Sequence, residues 1–366
     1  MREVSLAWAR SFICLVVVAT LLSGVSAGQG PPESGSVQQG LGFVLFCREN
    51  VVVDGGDSGI RAVDLSTGRA LWSAQPDESV YVGPAAAGDS IAVVTRSYST
   101  FDAVSKATGK LLWHRPRRSH NLDSDGRYFY VTRPYDDGVS ALDSRTGAVV
   151  WTLRIPKKGG AAFLRIRDGL LYSNTFAVDL RSRKLLHQWP EDIVVTSIAF
   201  PTPGETLLGD TDGNLTLYDS SFEVTKRLHA GDAEVEAIDA SEDGVLVSLR
   251  APDSTQLGVF EFLNWDGTRR WQAPGLSIYF GSFHPFVIAG NDALIVEPGA
   301  SEKQWRLTSR SLSAGKVNWV AEGFFYRSWP LVCGDKVFLI DGDDLRAFNI
   351  SDGRPSGNPA RVRSSN

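Results

Sequence analysis

The sequence predicts an all-β fold, an eight-bladed β-propeller of four-stranded antiparallel blades. Three observations lead there. One turn motif recurs at a near-constant interval. Gly, Pro and Asp-Gly pairs punctuate short apolar runs. No run shows the roughly 3.6-residue apolar period of a long helix.

The motif is clearest in VDLSTGRALW, where Asp64, Thr67, Gly68 and Trp72 stand at fixed spacing. AVSKATGKLLW repeats it with Gly109 and Trp113, and ALDSRTGAVVW with Asp143, Gly147 and Trp151. Later copies are weaker. AVDLRSRKLLH has Arg183 for the glycine and His187 for the tryptophan, and LYDSSFEVTKR keeps Asp219 only. WDGTRRW keeps Gly267 and Trp271, SLSAGKVNW keeps Gly315 and Trp319, and AFNISDGR closes the series with Gly353. The glycine-equivalent positions are 68, 109, 147, 183, 223, 267, 315 and 353, a mean interval near 41. An interval of that size marks a repeat architecture with room for about four strands per unit. In the first unit these read GFVLFC, VVV, GIRAVD and RALWSA. Such units are propeller blades. A solenoid of shorter repeats is the alternative, and seven blades result if one of units five to seven is no true repeat.

Every member of the motif has a backbone task. Asp and Thr side chains accept hydrogen bonds from turn amides. Glycine supplies positive φ without a Cβ penalty. Tryptophan, on the outer strand, covers the face between blades. The polar member varies freely, to Ser105, Leu263, Ser311 and Asn349, which a catalytic residue could not do.

RAVDLSTGRALW, KATGKLLW and SALDSRTGAVVW resemble the Ala-Leu-Asp-x-x-Thr-Gly-x-x-x-Trp signature of PQQ-like β-propeller repeats. The resemblance runs over residues 41–355, strongly in the first three units. It implies either of two kinds of protein. One is a quinoprotein dehydrogenase holding pyrroloquinoline quinone (PQQ) with calcium, an Asp base and, in many cases, adjacent cysteines. The other is a non-catalytic envelope protein, similar to the propeller of the outer-membrane barrel-assembly machinery. This chain has no adjacent cysteine pair, little room for pocket-building insertions and no acid that matches a catalytic position. The expectation is therefore a protein-binding scaffold with no catalytic, cofactor or metal residues. A PQQ-dependent oxidoreductase with a divergent cofactor site is the alternative.

Other chemistry finds little support. The histidines His114, His120, His187, His229 and His284 fall in different units without metal-ligand spacing. Asp54-Gly-Gly-Asp57 and Asp341-Gly-Asp343-Asp344 lie on inner hairpin turns and lack the spacing of a calcium loop. The formal charge of −5 argues against nucleic acid as a partner. One basic cluster, Arg115, Arg117 and Arg118 with His120, sits on the link between the second and third blades and is a candidate partner contact. Cys47 in LFCRENV and Cys333 in LVCGDKV align column for column in the first and last blades, which a closed ring makes neighbours. A structural disulfide between them is expected if the compartment is oxidising. Two buried thiols are the alternative.

The first 30 residues carry Arg2 and Arg10, an apolar run from Phe12 to Leu22, and Val25-Ser26-Ala27 as a cleavage site. That order predicts a signal peptide over 1–27 and a secreted or extracytoplasmic monomer, in periplasm or cell envelope, with no transmembrane segment once it is removed. Residues 28–40 read as a flexible tether, 41–355 as the propeller and 356–366 as a disordered tail. The last blade lacks an evident fourth strand, for which SGSVQQG (34–40) is one available donor.

Overall fold

The computed structural model describes residues 43–48, 51–56, 59–64, 69–74, 80–95, 100–116, 121–132, 138–155, 163–250, 258–275, 285–299, 304–323, 330–341 and 344–356. Within these spans, 43–59, 80–87 and 92–100 are described by backbone alone. By internal contacts the chain divides into Met1–Gln39, outside the described residues, and Gly40–Asn366, which holds every described strand.

Among the described residues, 31 strands form eight antiparallel sheets, seven of four strands and one of three. Each sheet is a contiguous stretch of chain whose neighbouring strands are also neighbours in sequence. The blades are 1 (43–74), 2 (80–116), 3 (121–154), 4 (164–188), 5 (195–229), 6 (235–274), 7 (286–323) and 8 (331–349). First strands pack on the first strands of neighbouring blades, which makes them the innermost. The ring closes because Phe43–Arg48 of blade 1 lies against Leu331–Cys333 and Lys336–Asp341 of blade 8. The count is eight, and the solenoid reading falls.

The core sits between blades rather than within them. Leu246 faces blade 7, with Phe260, Phe262 and Phe286. Its strand neighbours Val245 and Val247 face blade 5, with Leu207, Leu215 and Leu217. Successive side chains on a strand point to opposite faces. A strand buried on both faces therefore needs a continuous apolar run, and Gly244–Leu249 reads GVLVSL. Each fully buried Leu, Val or Phe contributes about 1.5–3 kcal/mol. The same layering recurs between blades 2 and 3, 3 and 4, 4 and 5, 7 and 8, and 8 and 1.

Blade 8 gains a short pairing from its own C-terminal side. Pro355 bridges antiparallel to Phe348, and the Ser356 amide donates to the Ala347 carbonyl at 2.8 Å. The expectation that no strand pairing follows Arg354 is corrected for this short stretch. The proposed donor 34–40 lies outside the described residues, as do the leader 1–27 and the tail 357–366. Among the described residues no helix is long and apolar enough to cross a membrane.

Candidate interaction rim

One device repeats where the third strand of a blade hands over to the outer strand. In blade 1, Ala62 pairs with Trp72 and Val63 with Ala70, leaving Leu71 as a β-bulge. The same shift leaves Leu112 in blade 2, Val150 in blade 3 and Leu186 in blade 4. In blades 5 to 7 the bulge residues are Thr225, Arg270 and Asn318. The extra residue turns the following side chain toward the next blade and pushes itself toward solvent.

The inward-turned side chain is the motif tryptophan. Trp72 Nε1 donates to the Lys106 carbonyl of blade 2 at 2.7 Å, and Trp113 to the Ser144 carbonyl of blade 3 at 2.9 Å. Trp271 reaches Leu312 O at 2.9 Å and Trp319 reaches Ile350 O at 2.7 Å. Each acceptor lies three residues before the next blade's motif glycine. That glycine lies against the ring: a Cβ built on Gly109 would stand 2.6 Å from Trp72, on Gly147 2.8 Å from Trp113 and on Gly315 2.5 Å from Trp271. Gly353 meets Trp319 in the same way. The glycine thus serves two needs at once, a positive φ and a surface on which an indole can lie.

The turn carboxylates are occupied locally. Asp143 Oδ1 accepts from the Thr146 hydroxyl and amide, both at 2.8 Å, and from the Arg145 amide at 3.1 Å. The Thr146 hydroxyl bond, then its amide, holds the Asp143 carboxyl below its usual range. Asp179, in blade 4, is lowered chiefly by the Ser182 amide. Gly267 closes a tighter turn, its amide donating to Asn264 O at 2.9 Å.

The middle joints use other chemistry. Trp151 meets Arg183, whose guanidinium carbon lies 5.8 Å from the indole centroid at φ 58°. His187 stacks on Phe222 with centroids 5.0 Å apart and planes 8° from parallel. Burial pushes the His187 imidazole below its ordinary value, against the pull of Glu223. The positive-φ residue of blade 5's motif turn is Phe222, at 62°, one position before the 223 expected from the repeat. The tryptophan column there holds Lys226, whose Nζ donates to Trp265 O at 2.9 Å.

Blade 2's outer strand, Leu111–Pro116, carries the start of the predicted basic cluster. His114 Nδ1 lies 2.6 Å from Oδ1 of the buried Asp102, its cross-strand partner. Arg115 runs beside the blade 3 turn, with Nε 3.0 Å from where a Cβ on Gly147 would stand. Around it the bulge residues are open to solvent: Leu71 52%, Leu112 44%, Val150 42% and Leu186 46% exposed. Arg117 and Arg118 lie outside the described residues, as do Thr67 and Gly68. Asp64 ends its strand, half-buried. Cys333 is disulfide-bonded, and the Cys47 side chain is outside the described residues.

The inner strands hold carboxylates that sequence reading missed. Asp123 accepts from the Ile166 amide of blade 4 at 2.8 Å, and Asp239 from the Ile288 amide of blade 7 at 2.7 Å. Burial raises both carboxyls, opposed at Asp123 first by Arg165 and at Asp239 by the amides of Ile288 and Ala240. Arg250 is clamped by Glu236 at 2.8 Å and by Glu234. Glu297 accepts from Arg306 at 3.0 Å and Arg310 at 2.9 Å. Asp341, which the sequence did single out as part of an inner hairpin turn, pairs with Arg346 at 2.5 Å. An acid interrupting an apolar inner strand, as in NLDS or VEAIDAS, is the only signal the sequence offered. Among the described residues no three His, Cys, Asp or Glu side chains are grouped to hold a metal ion.

A closed ring of eight antiparallel blades, several of them joined by tryptophan-on-glycine contacts, defines a β-propeller. The comparisons agree: residues 56–221 match the family model PQQ_2, described as outer membrane protein assembly factor BamB. The resemblance read from the sequence therefore holds. No curated protein sequence matches the chain. The computationally designed Ika8 protein superposes with a TM-score of 0.64 at 15% identity, covering 86% of this chain and 97% of its own. BamB from Moraxella catarrhalis superposes at 0.51 and 19% identity, covering 75% and 81%. At these identities the likeness is one of fold.

Proposed function

We propose that the ring is a secreted or envelope-located, non-catalytic protein-binding scaffold whose partner docks on the outer rim of blades 1 to 4. The observation that carries this is the division of the bulge row. Its four aliphatic members fall in consecutive blades, on the outer strand of one of which Arg115 begins the basic run, while Thr225, Arg270 and Asn318 occupy the rest. Covering a half-exposed Leu recovers about 1 kcal/mol, so four in a row reward a partner with an apolar face. Bulges disrupt the outer ladder, which favours contact through side chains over addition of a strand. The likeness to BamB, which the matched model describes as an outer membrane protein assembly factor, supports this reading at the level of fold.

The quinoprotein alternative needs a calcium site and an unengaged acid. The inner-strand acids named above are engaged elsewhere, which favours the scaffold reading: Asp123 and Asp239 tie neighbouring blades, and Glu234, Glu236 and Glu297 are paired with arginines. Two measurements test the proposal. Replacing Arg115, Arg117 and Arg118 by Glu is expected to abolish recovery of a partner captured from envelope extract by the wild-type ring. Unchanged recovery sinks the rim. A saturable absorbance change on adding PQQ with calcium overturns the non-catalytic reading.

A further inference from the structure

The seam between blades 8 and 1 differs from the other joints. The regular joints carry a tryptophan four residues after the motif glycine, and after Gly353 that position is Gly357. Many ring proteins close by sharing a strand between the first and last blades. Among the described residues none is shared here: blade 1 holds its own four strands, and blade 8 is extended by Pro355 from its own side. The apolar contact across the seam is a small cluster of Val63 with Phe338, Ile340 and Leu345, with Cys333 packed against it. A ring joined this way can open where its two ends meet.

We infer that a Cys47–Cys333 disulfide closes this seam covalently, where the described residues supply neither a tryptophan joint nor a shared strand. Cys333 is disulfide-bonded. The chain has two other cysteines, Cys14 in the apolar leader and Cys47. Cys47 sits on Phe43–Arg48, the strand that packs against Leu331–Cys333. Forming the bond removes one hydrogen from each thiol and two electrons in all, which an oxidising extracytoplasmic compartment accepts through its thiol oxidants. The cross-link joins the two ends of the ring, so the closed loop is almost the whole propeller and the restriction on the unfolded chain is large.

Peptide mapping of the secreted full chain without reductant tests the pairing. The expected product is a Cys47 peptide linked to a Cys333 peptide. A free Cys333 thiol, or a link to Cys14 or to another copy, overturns it. Hydrogen exchange then tests the role, comparing wild type with the Cys47→Ser and Cys333→Ser double variant. The expected result is faster exchange confined to blades 1 and 8 and a fall in unfolding midpoint of roughly 5–10 °C. An unchanged midpoint, or exchange that rises equally in blades 3 to 6, rejects a seam lock. Reducing the wild type without mutation must reproduce the variant, which separates loss of the bond from a packing defect.

Discussion

Between blades 6 and 7 the joint is Trp271 on Gly315; between blades 4 and 5 the same place holds His187 on Phe222. Both joints lay a flat ring on a residue at positive φ, on a bare glycine in the first and on a phenyl ring in the second. The first adds an indole N–H bonded to a carbonyl, and the second leaves His187 Nε2 without a hydrogen-bond partner. Blades 5 and 6 solve the other half of the problem, with the Lys226 ammonium in place of an indole supplying the donor to the Trp265 carbonyl and lying over the Trp265 ring. The joint is thus two separable requirements, a planar contact and a satisfied turn carbonyl. Tryptophan on glycine meets both with one residue pair. The middle of the ring meets them piecemeal, which is why its motif decays in sequence while its blades stay in register.

The largest break should come from removing the ring where both requirements meet. Trp319→Ala is expected to cost about 3–5 kcal/mol in denaturant unfolding, and Trp319→Phe about 1–2, since the latter leaves only the Ile350 carbonyl unbonded. Equal losses in the two variants would show that the planar contact contributes nothing, and no loss in Trp319→Phe would show the same of the hydrogen bond. The glycine is the next test. Gly315→Ala places a methyl against Trp271 and is expected to cost about 2–4 kcal/mol. Gly126→Ala, at φ 85° with nothing within 4 Å, should cost about 1. If the two cost the same, φ alone explains the glycine and the docking role falls. The smallest effect is expected at the Trp151 joint. Arg183→Gly relieves a strained φ but gives up the guanidinium over the indole, so the change should stay within about 1 kcal/mol of zero by the same measurement. A loss above 2 would mean that arginine is a required part of that joint.

How much of this was legible follows from how local each signal is. The turn chemistry of Asp143 and Thr146 is complete within six residues, and it could be read from SALDSRTGAVVW alone. Period and blade count were legible because the turn recurs. At blade 5 the reading slipped by one residue, since Phe222 carries a conformation that sequence assigns to glycine. The inter-blade bonds of Asp123 and Asp239 were not legible, because their partners lie 43 and 49 residues away and are backbone amides, which carry no side-chain signature. The bulge row was hidden for a related reason. Leu71, Leu112, Val150 and Leu186 look like core residues in the alternating pattern, and one residue of register shift turns them out.

By itself, then, the sequence determined the repeat, the strand-rich blade and the residues that make each reversal, since these depend on contacts within a few residues. Which blade a tryptophan seals to, which carboxylates tie one blade to the next, and which leucines reach solvent were decided only by the closed ring. Those contacts join residues 31 to 49 apart in the chain, and nothing short of the tertiary structure fixes their distance.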